Sequence, residues 1–339
     1  MIKHTDFSLK DYNTFGIDVK TSLFFKFDSP TELERIFHEE IDVKKERFLI
    51  LGEGSNILFS CDFNGVILKN SIEGIEILYE DEQKAIIKTG AGTHWDDLVK
   101  FCVSKNLWGV ENLSLIPGTV GAAPIQNIGA YGSELKDVLV SVEGFSVGDN
   151  KFVELPKERL ELSYRSSIFK TKLKSKFVIT YVTIELSKSG KPNLSYAGLA
   201  KYFSKKSIDE ISIEEVRNAV IEIRQSKLPD PKVLGSAGSF FKNPVINNDL
   251  YKKLKYNYPN IISYKIDGNH WKIPAGWLID NAGLKGIRFG NAGTYEKQAL
   301  VIVNYGNATG KEILDLAKYI QAKVEEKYQI KLEPEVNII

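Results

Sequence analysis

In GSAGSFFKNP, residues 235–244, one serine, Ser239, stands between Gly238 and the aromatic pair Phe240 and Phe241. Glycine lets a backbone approach another group closely, and aromatic rings exclude water. A hydroxyl in that position could donate a proton, or belong to a tight turn over a core. Arg165 in SYRSSIF, 163–169, could clamp a carboxylate through two parallel hydrogen bonds or form a surface ion pair. Glu335 lies in the apolar tail LEPEVNII, where an unpaired carboxylate is costly and becomes a tuned acid unless the pleat turns it to solvent. Lys227 before Leu-Pro-Asp-Pro, and Lys242-Asn243 after the serine, could meet phosphates, although lysine is mostly solvated.

Two glycine-rich segments could hold a ligand by backbone alone. GEGSN, residues 52–56, follows the apolar run Phe48 to Leu51. Gly52 and Gly54 let amide groups converge, and Ser55 and Asn56 add neutral donors, as in a phosphate cradle or a plain strand-ending turn. The spacing matches neither GxGxxG nor GxxxxGK[ST], so no dinucleotide fingerprint or P-loop is assigned. IPGTVGAAPIQNIGAYG, residues 116–132, is glycine-dense and almost uncharged. Such a segment presses backbone against a flat, largely apolar ligand, for which a planar cofactor is suitable, or against another core element.

The elements that must position these groups are those of a mixed α+β chain. Ser29-Pro30-Thr31-Glu32 predicts a helix start, as do Thr93 to Asp96 and Ser212 to Glu215, and a long helix is expected from about Lys311 to Tyr328 with Ile313, Ala317, Ile320, Val324 and Tyr328 on its core face. Strands are expected at FLIL, GVILK, GIEILYE, KAIIKTG, VLVSVEGFSV, KFVITYVTIEL and ALVIVNYG. They do not alternate regularly with helices, which argues against a doubly wound sheet. Breaks are placed near Asn70-Ser71-Ile72 and at Lys227 to Pro231.

With 339 residues the chain exceeds a single core, so more than one packed unit is expected. Lys+Arg 45 against Asp+Glu 44 leaves a net charge of +1, so no global field recruits nucleic acid or an anionic membrane. No signal-peptide core or membrane span is present in the sequence, and a cytoplasmic protein is expected. Cys61 and Cys102 are read as reduced core thiols, and His4, His38, His94 and His270 lack metal-ligand spacing, so no metal is expected.

LGEGSN, IPGTVGAAPIQNIGAYG, YRSSIF, LPDPKV, GSAGSFFKNP, AGWLID and LEPEV, in that order from Asn13-Thr14-Phe15-Gly16 to Glu335, closely resemble the UDP-N-acetylenolpyruvoylglucosamine reductase family. SYAGL at 195–199 resembles the subgroup with a tyrosine-bearing substrate loop. The resemblance implies an FAD flavoprotein of three α+β domains with the p-cresol methylhydroxylase-type FAD fold. Residues 1–70, joined by the tail 329–339, and 71–228 would be the two FAD-binding domains, and 229–328 the substrate domain. FAD would be held by Gly52, Glu53, Gly54, Ser55, Asn56, Pro117, Gly118, Thr119, Gly121, Ala122, Gln126, Asn127, Gly129 and Ala130. Arg165, Ser239 and Glu335 would be catalytic, and Tyr131, Tyr196, Lys227, Asn243 and Gln298 would hold the UDP-sugar. The implied activity is NADPH-dependent reduction of an enolpyruvyl UDP-sugar for peptidoglycan synthesis, with consequences for cell shape and division. A monomer is expected. Two departures accompany the resemblance: Thr119, where some relatives differ, and an end at Ile339, a few residues beyond Glu335. A flavin oxidase of the same fold, or a non-catalytic nucleotide-sugar binder, would share many of these features.

Overall fold

Ser29 accepts the Glu32 amide and Pro30 presets the first turn, so the helix Pro30–Arg35 begins where the local chemistry predicts. A computed structural model of the protein describes all 339 residues. The helix Ile213–Lys227 is likewise capped by Ser212, whose hydroxyl accepts the Glu215 amide while the Glu215 carboxylate accepts the Ser212 amide. The helix Gly310–Tyr328 starts at a reciprocal Thr309–Glu312 box and buries all five residues expected on its core face.

Thr93 to Asp96 behaves differently. The helix Trp95–Ser104 has His94 at its N-cap with no side-chain capping bond. The Thr93 hydroxyl bonds Gly74 instead, and the Asp96 carboxylate is taken by Arg217 and the Leu115 amide. Long-range partners have replaced the local box.

The chain forms two compact units. One comprises Met1–Phe7, Thr21–Glu53 and Asn64–Ser226; the other comprises Ser8–Lys20, Gly54–Phe63 and Lys227–Ile339. The first is built on a five-stranded antiparallel sheet in the order Lys151–Pro156, Leu139–Ser146, Phe177–Ser187, Lys84–Gly90, Ile75–Glu80. Trp95, Leu98, Val99 and Cys102 of the helix after the fourth of these pack on it with Val142, Val182 and Ile184. Each such side chain contributes about 1.5–3 kcal/mol when fully buried. A four-stranded sheet carries the parallel pair Phe48–Leu51 and Phe63–Asn70 and shares a core with the first: Leu68 and Ile72 pack with Phe145 and Val178. Residues on either side of Asn70 to Ile72 therefore belong to one apolar cluster.

In the second unit the strands Gly235–Ser239, Val301–Asn304, Ala292–Thr294 and Arg288–Phe289 form an antiparallel sheet, and His270–Lys272 lies between Val245–Asn247 and Tyr264–Lys265 in another. The tail strand Asn337–Ile338 runs parallel to Ile57–Leu58. Every strand expected from the sequence is present.

Cys102 is a core thiol that burial pushes up to about 12. Cys61 is not: it is exposed, in the turn between Ile57–Leu58 and Phe63–Asn70, where a two-stranded connection must face solvent. No helix is long and apolar enough to cross a membrane, and no three His, Cys, Asp or Glu side chains group as metal ligands.

Candidate active site

In the first unit the two glycine-rich loops meet. A Cβ on Gly52 would stand 2.6 Å from Thr119 Oγ1, and one on Gly121 would stand 2.5 Å from Ala91 Cβ. The neutral, small-residue composition of 116–132 thus serves tight internal packing along much of its length. Glu53 joins the loops directly: its carboxylate accepts the Gly118 amide and pairs with His94. The amides of Gly52 and Glu53 are taken by no protein carbonyl, although Val120, Gly121, Ala122 and Ala123 in the facing loop all donate internally. Pro117 and Ala122 are exposed beside the buried Gly118 and Thr119.

Arg165 sits at a left-handed φ of 54° and donates from Nη2 to the Gly129 carbonyl at 2.8 Å. Its loop is pinned to the same glycine-rich segment. Asn127, fully buried, donates to Ser163 O and Glu134, and Ser167 donates to Ile125 O. Gln126 and Ala130 lie half-buried alongside. Arg165 is therefore half-buried and held by backbone, rather than standing as a surface charge. Tyr131, φ 51°, packs edge-on against Tyr196, ring centroids 4.9 Å apart. Tyr196 is the residue at the N-cap of the short helix Ala197–Tyr202.

The second unit holds Ser239. Ser236 pairs with Val303 and Ser239 with Val301, so the segment between carries one residue more than its partner. That bulge, with Gly238 at φ 69°, re-aims the serine at the end of its strand. The next residues leave the sheet and bond the tail. The Glu335 amide donates to Phe240 O at 2.8 Å, Phe241 bridges Pro334, and the Lys242 amide donates to Glu333 O. Ser239 and Glu335 are thereby close neighbours in the backbone ladder, both half-buried. Asn56 secures the tail, donating to Glu335 O and accepting from Asn337. The amides of Gly54 and Ser55 have no protein carbonyl partner.

Asn243 and Gln298 converge on one helix start. The Asn243 carbonyl accepts the Ala275 amide at 2.9 Å, leaving its NH2 group for another acceptor. Gln298 Oε1 lies 2.8 Å from where a Cβ on Gly276 would stand. Lys227, exposed, is the last residue of Ile213–Lys227.

Two family signatures match the chain: an FAD binding domain over residues 22–155, and the UDP-N-acetylenolpyruvoylglucosamine reductase C-terminal domain over 230–339. A reductase of that name from Flavobacterium johnsoniae is 44% identical over 99% of this chain and 99% of its own. The chain belongs to the UDP-N-acetylenolpyruvoylglucosamine reductase family. One from Bacteroides fragilis is 42% identical over 98% of this chain and 99% of its own. The crystal structure of the Thermus caldophilus reductase aligns with a TM-score of 0.68 at 26% identity, covering 99% of this chain and 98% of that one.

The protein is accordingly an α+β, FAD-dependent oxidoreductase. Its residues fit that cofactor: the cradle offers unpaired amides, neutral side chains and close-packed glycines, and its one carboxylate, Glu53, is already engaged by the Gly118 amide and His94. Glu53 thereby ties the two loops together. Glu53→Gln, which weakens the bond to Gly118 and loses the pairing with His94, is expected to lower FAD affinity about tenfold, the effect of about one charged hydrogen bond. Titration of apoprotein with FAD, read by flavin fluorescence, measures it; unchanged affinity would show the tie to be dispensable.

Sequence reasoning did not single out Arg224, whose Nε is buried without an acceptor. Nothing in Ile-Glu-Ile-Arg-Gln-Ser-Lys distinguishes it from an exposed helix arginine; only its place on the inward face does.

Proposed function

We propose that the protein reduces UDP-N-acetyl-3-O-(1-carboxyvinyl)-glucosamine to UDP-N-acetylmuramate with NADPH as reductant, supplying peptidoglycan precursors in the cytoplasm and hence serving cell shape and division. The observation that carries this reading is end-to-end identity of 44% to a reductase of that name.

FAD, when bound, would supply a hydride for the terminal carbon of the enolpyruvyl double bond. The electron pair of that bond moves towards the carboxylate carbon, and charge develops on the carboxylate. Arg165, held in place by the Gly129 carbonyl, offsets that charge, and Glu335 in its acidic form assists. Ser239 gives its proton to the remaining carbon, completing addition of hydride and proton across the double bond. Serine is a weak acid in water, so its competence depends on placement next to a strongly basic carbon. The bulge at Gly238 supports such placement.

Tyr131, Tyr196, Lys227, Asn243 and Gln298 hold the UDP-sugar, with Asn243 acting as donor because its carbonyl already caps Ala275. Residues 1–70 with 329–339, and 71–228, act as FAD-binding domains of the p-cresol methylhydroxylase type, and 229–328 as the substrate domain. The chain is assigned to the subgroup with a tyrosine-bearing loop and works as a monomer.

The test is anaerobic. Purified protein is expected to be yellow, to bleach with NADPH, and to recover its colour on addition of the enolpyruvyl nucleotide. Failure to recover without oxygen would refute the reading and favour an oxidase.

A further inference from the structure

The first turn of the helix Trp95–Ser104 holds another segment in place. The Trp95 amide donates to Gly118 O and its indole Nε1 to Leu113 O, both at 2.9 Å. Asp96 accepts the Leu115 amide. His94 bridges Thr119, and the Val120 and Gly121 amides donate to Thr93 O and Ala91 O, each at 2.8 Å. Residues 113–121 are thus fastened to 91–96, and Gly118 is held on both sides, since its amide is taken by Glu53.

Leu115 is the strained member of this segment. Its φ of 58° lies in the left-handed region, which a residue with a side chain adopts only at a cost. Such a conformation persists where its surroundings impose it. Here the Leu115 amide meets Asp96 Oδ1, and the carboxylate is itself fixed from elsewhere: Arg217 Nη1 donates to Oδ1 and Nη2 to Oδ2, each at 2.8 Å. Two parallel bonds set the plane of a carboxylate, which a single bond would leave free to turn. Arg217 lies in the helix Ile213–Lys227, 121 residues from Asp96 in sequence, and its side chain is 12% exposed against 29% for Asp96. Partial burial of both charges offsets much of their attraction, so the pair contributes little net stability; what it adds is a fixed direction for Oδ1.

The turn at Leu115 leads directly into Pro117 to Ala122, part of the FAD cradle. We infer that Arg217 is a positioning residue for FAD: by fixing the Asp96 carboxylate it holds Leu115 in its left-handed turn and so presets Pro117 to Ala122, and less ordering of the cradle is required when the cofactor binds. The inference rests on the reading of those residues as FAD contacts.

The test is a double-mutant cycle on the full chain stripped of flavin, with the FAD dissociation constant read by flavin fluorescence and apoprotein stability by urea unfolding. Arg217→Met and Asp96→Asn are each expected to weaken FAD binding about tenfold, as loss of one charged hydrogen bond would, and the double variant no further than about tenfold, because both changes break one chain of contacts. Normal FAD affinity in Arg217→Met, even with lowered stability, or a double loss near the product, about a hundredfold, would overturn the inference. Should Arg217→Met fail to fold, Arg217→Lys keeps the charge but not the fork: an effect of about threefold that vanishes in the Asp96→Asn background supports the inference, and one that persists there overturns it. Ala122→Glu keeps the two failures apart. It places a carboxylate at an exposed position of the cradle and should weaken binding of the anionic cofactor whatever Arg217 does; unchanged affinity there would overturn the cradle reading together with the inference.

Discussion

Ser239→Ala is expected to leave reduction of the flavin by NADPH near normal and to slow its reoxidation by the enolpyruvyl nucleotide about 10²–10⁴-fold, the contribution of a positioned proton donor. The structure makes this a clean substitution. The Ser239 hydroxyl has no hydrogen-bond partner in the protein, so its removal strands no buried group. The strand pairing to Val301 uses backbone only, and alanine preserves it. Stability should therefore move by no more than about 0.5 kcal/mol. Stopped-flow absorbance of each half-reaction is the measurement. Equal slowing of both would sink the assignment, since a proton donor to substrate carbon has no task in the first.

Gly54→Ala should be among the most damaging single-methyl changes in the chain. A Cβ there would lie 2.2 Å from Tyr12 O and 2.8 Å from Asn13 Cα, and φ is 66°. Both neighbours are backbone, and the Thr14 amide bonds Gly54 O, so neither strand of this contact can move aside without breaking the other. Left-handed strain of about 1–2 kcal/mol adds to overpacking of about 1–3 kcal/mol. Loss of about 2–5 kcal/mol and of bound FAD is expected. Gly238 supplies the comparison: its φ is 69°, but nothing lies within 4 Å of its Cβ position. Gly238→Ala should cost only the strain, about 1–2 kcal/mol. Urea unfolding and flavin content after gel filtration compare the two; equal behaviour would show that the approach of Tyr12 is not what demands glycine at 54.

The order of the motifs, the strand runs and the helix starts are local properties, carried by residues within a few positions of one another. They were accordingly legible in the sequence. Ser29-Pro30-Thr31-Glu32 and Ser212 to Glu215 form their caps because donor and acceptor are three residues apart. Thr93 to Asp96 has the same spacing and forms none, because Arg217 offers Asp96 two charged bonds from another helix. The same limit applies at the site. That Glu335 lies near Ser239 depends on a tail closing back onto Phe240, and the aim of Ser239 depends on one extra residue in a ladder. Asn243 could be named from its motif, but not that its carbonyl is occupied by Ala275. Cys61 and Arg224 fail in opposite senses: an apolar thiol left in a turn, and a charged side chain whose Nε is buried. Residue type and near-neighbour spacing determined the elements and the chemical inventory, and tertiary structure alone decided which partner each polar group received, because that choice is made between segments far apart in the chain.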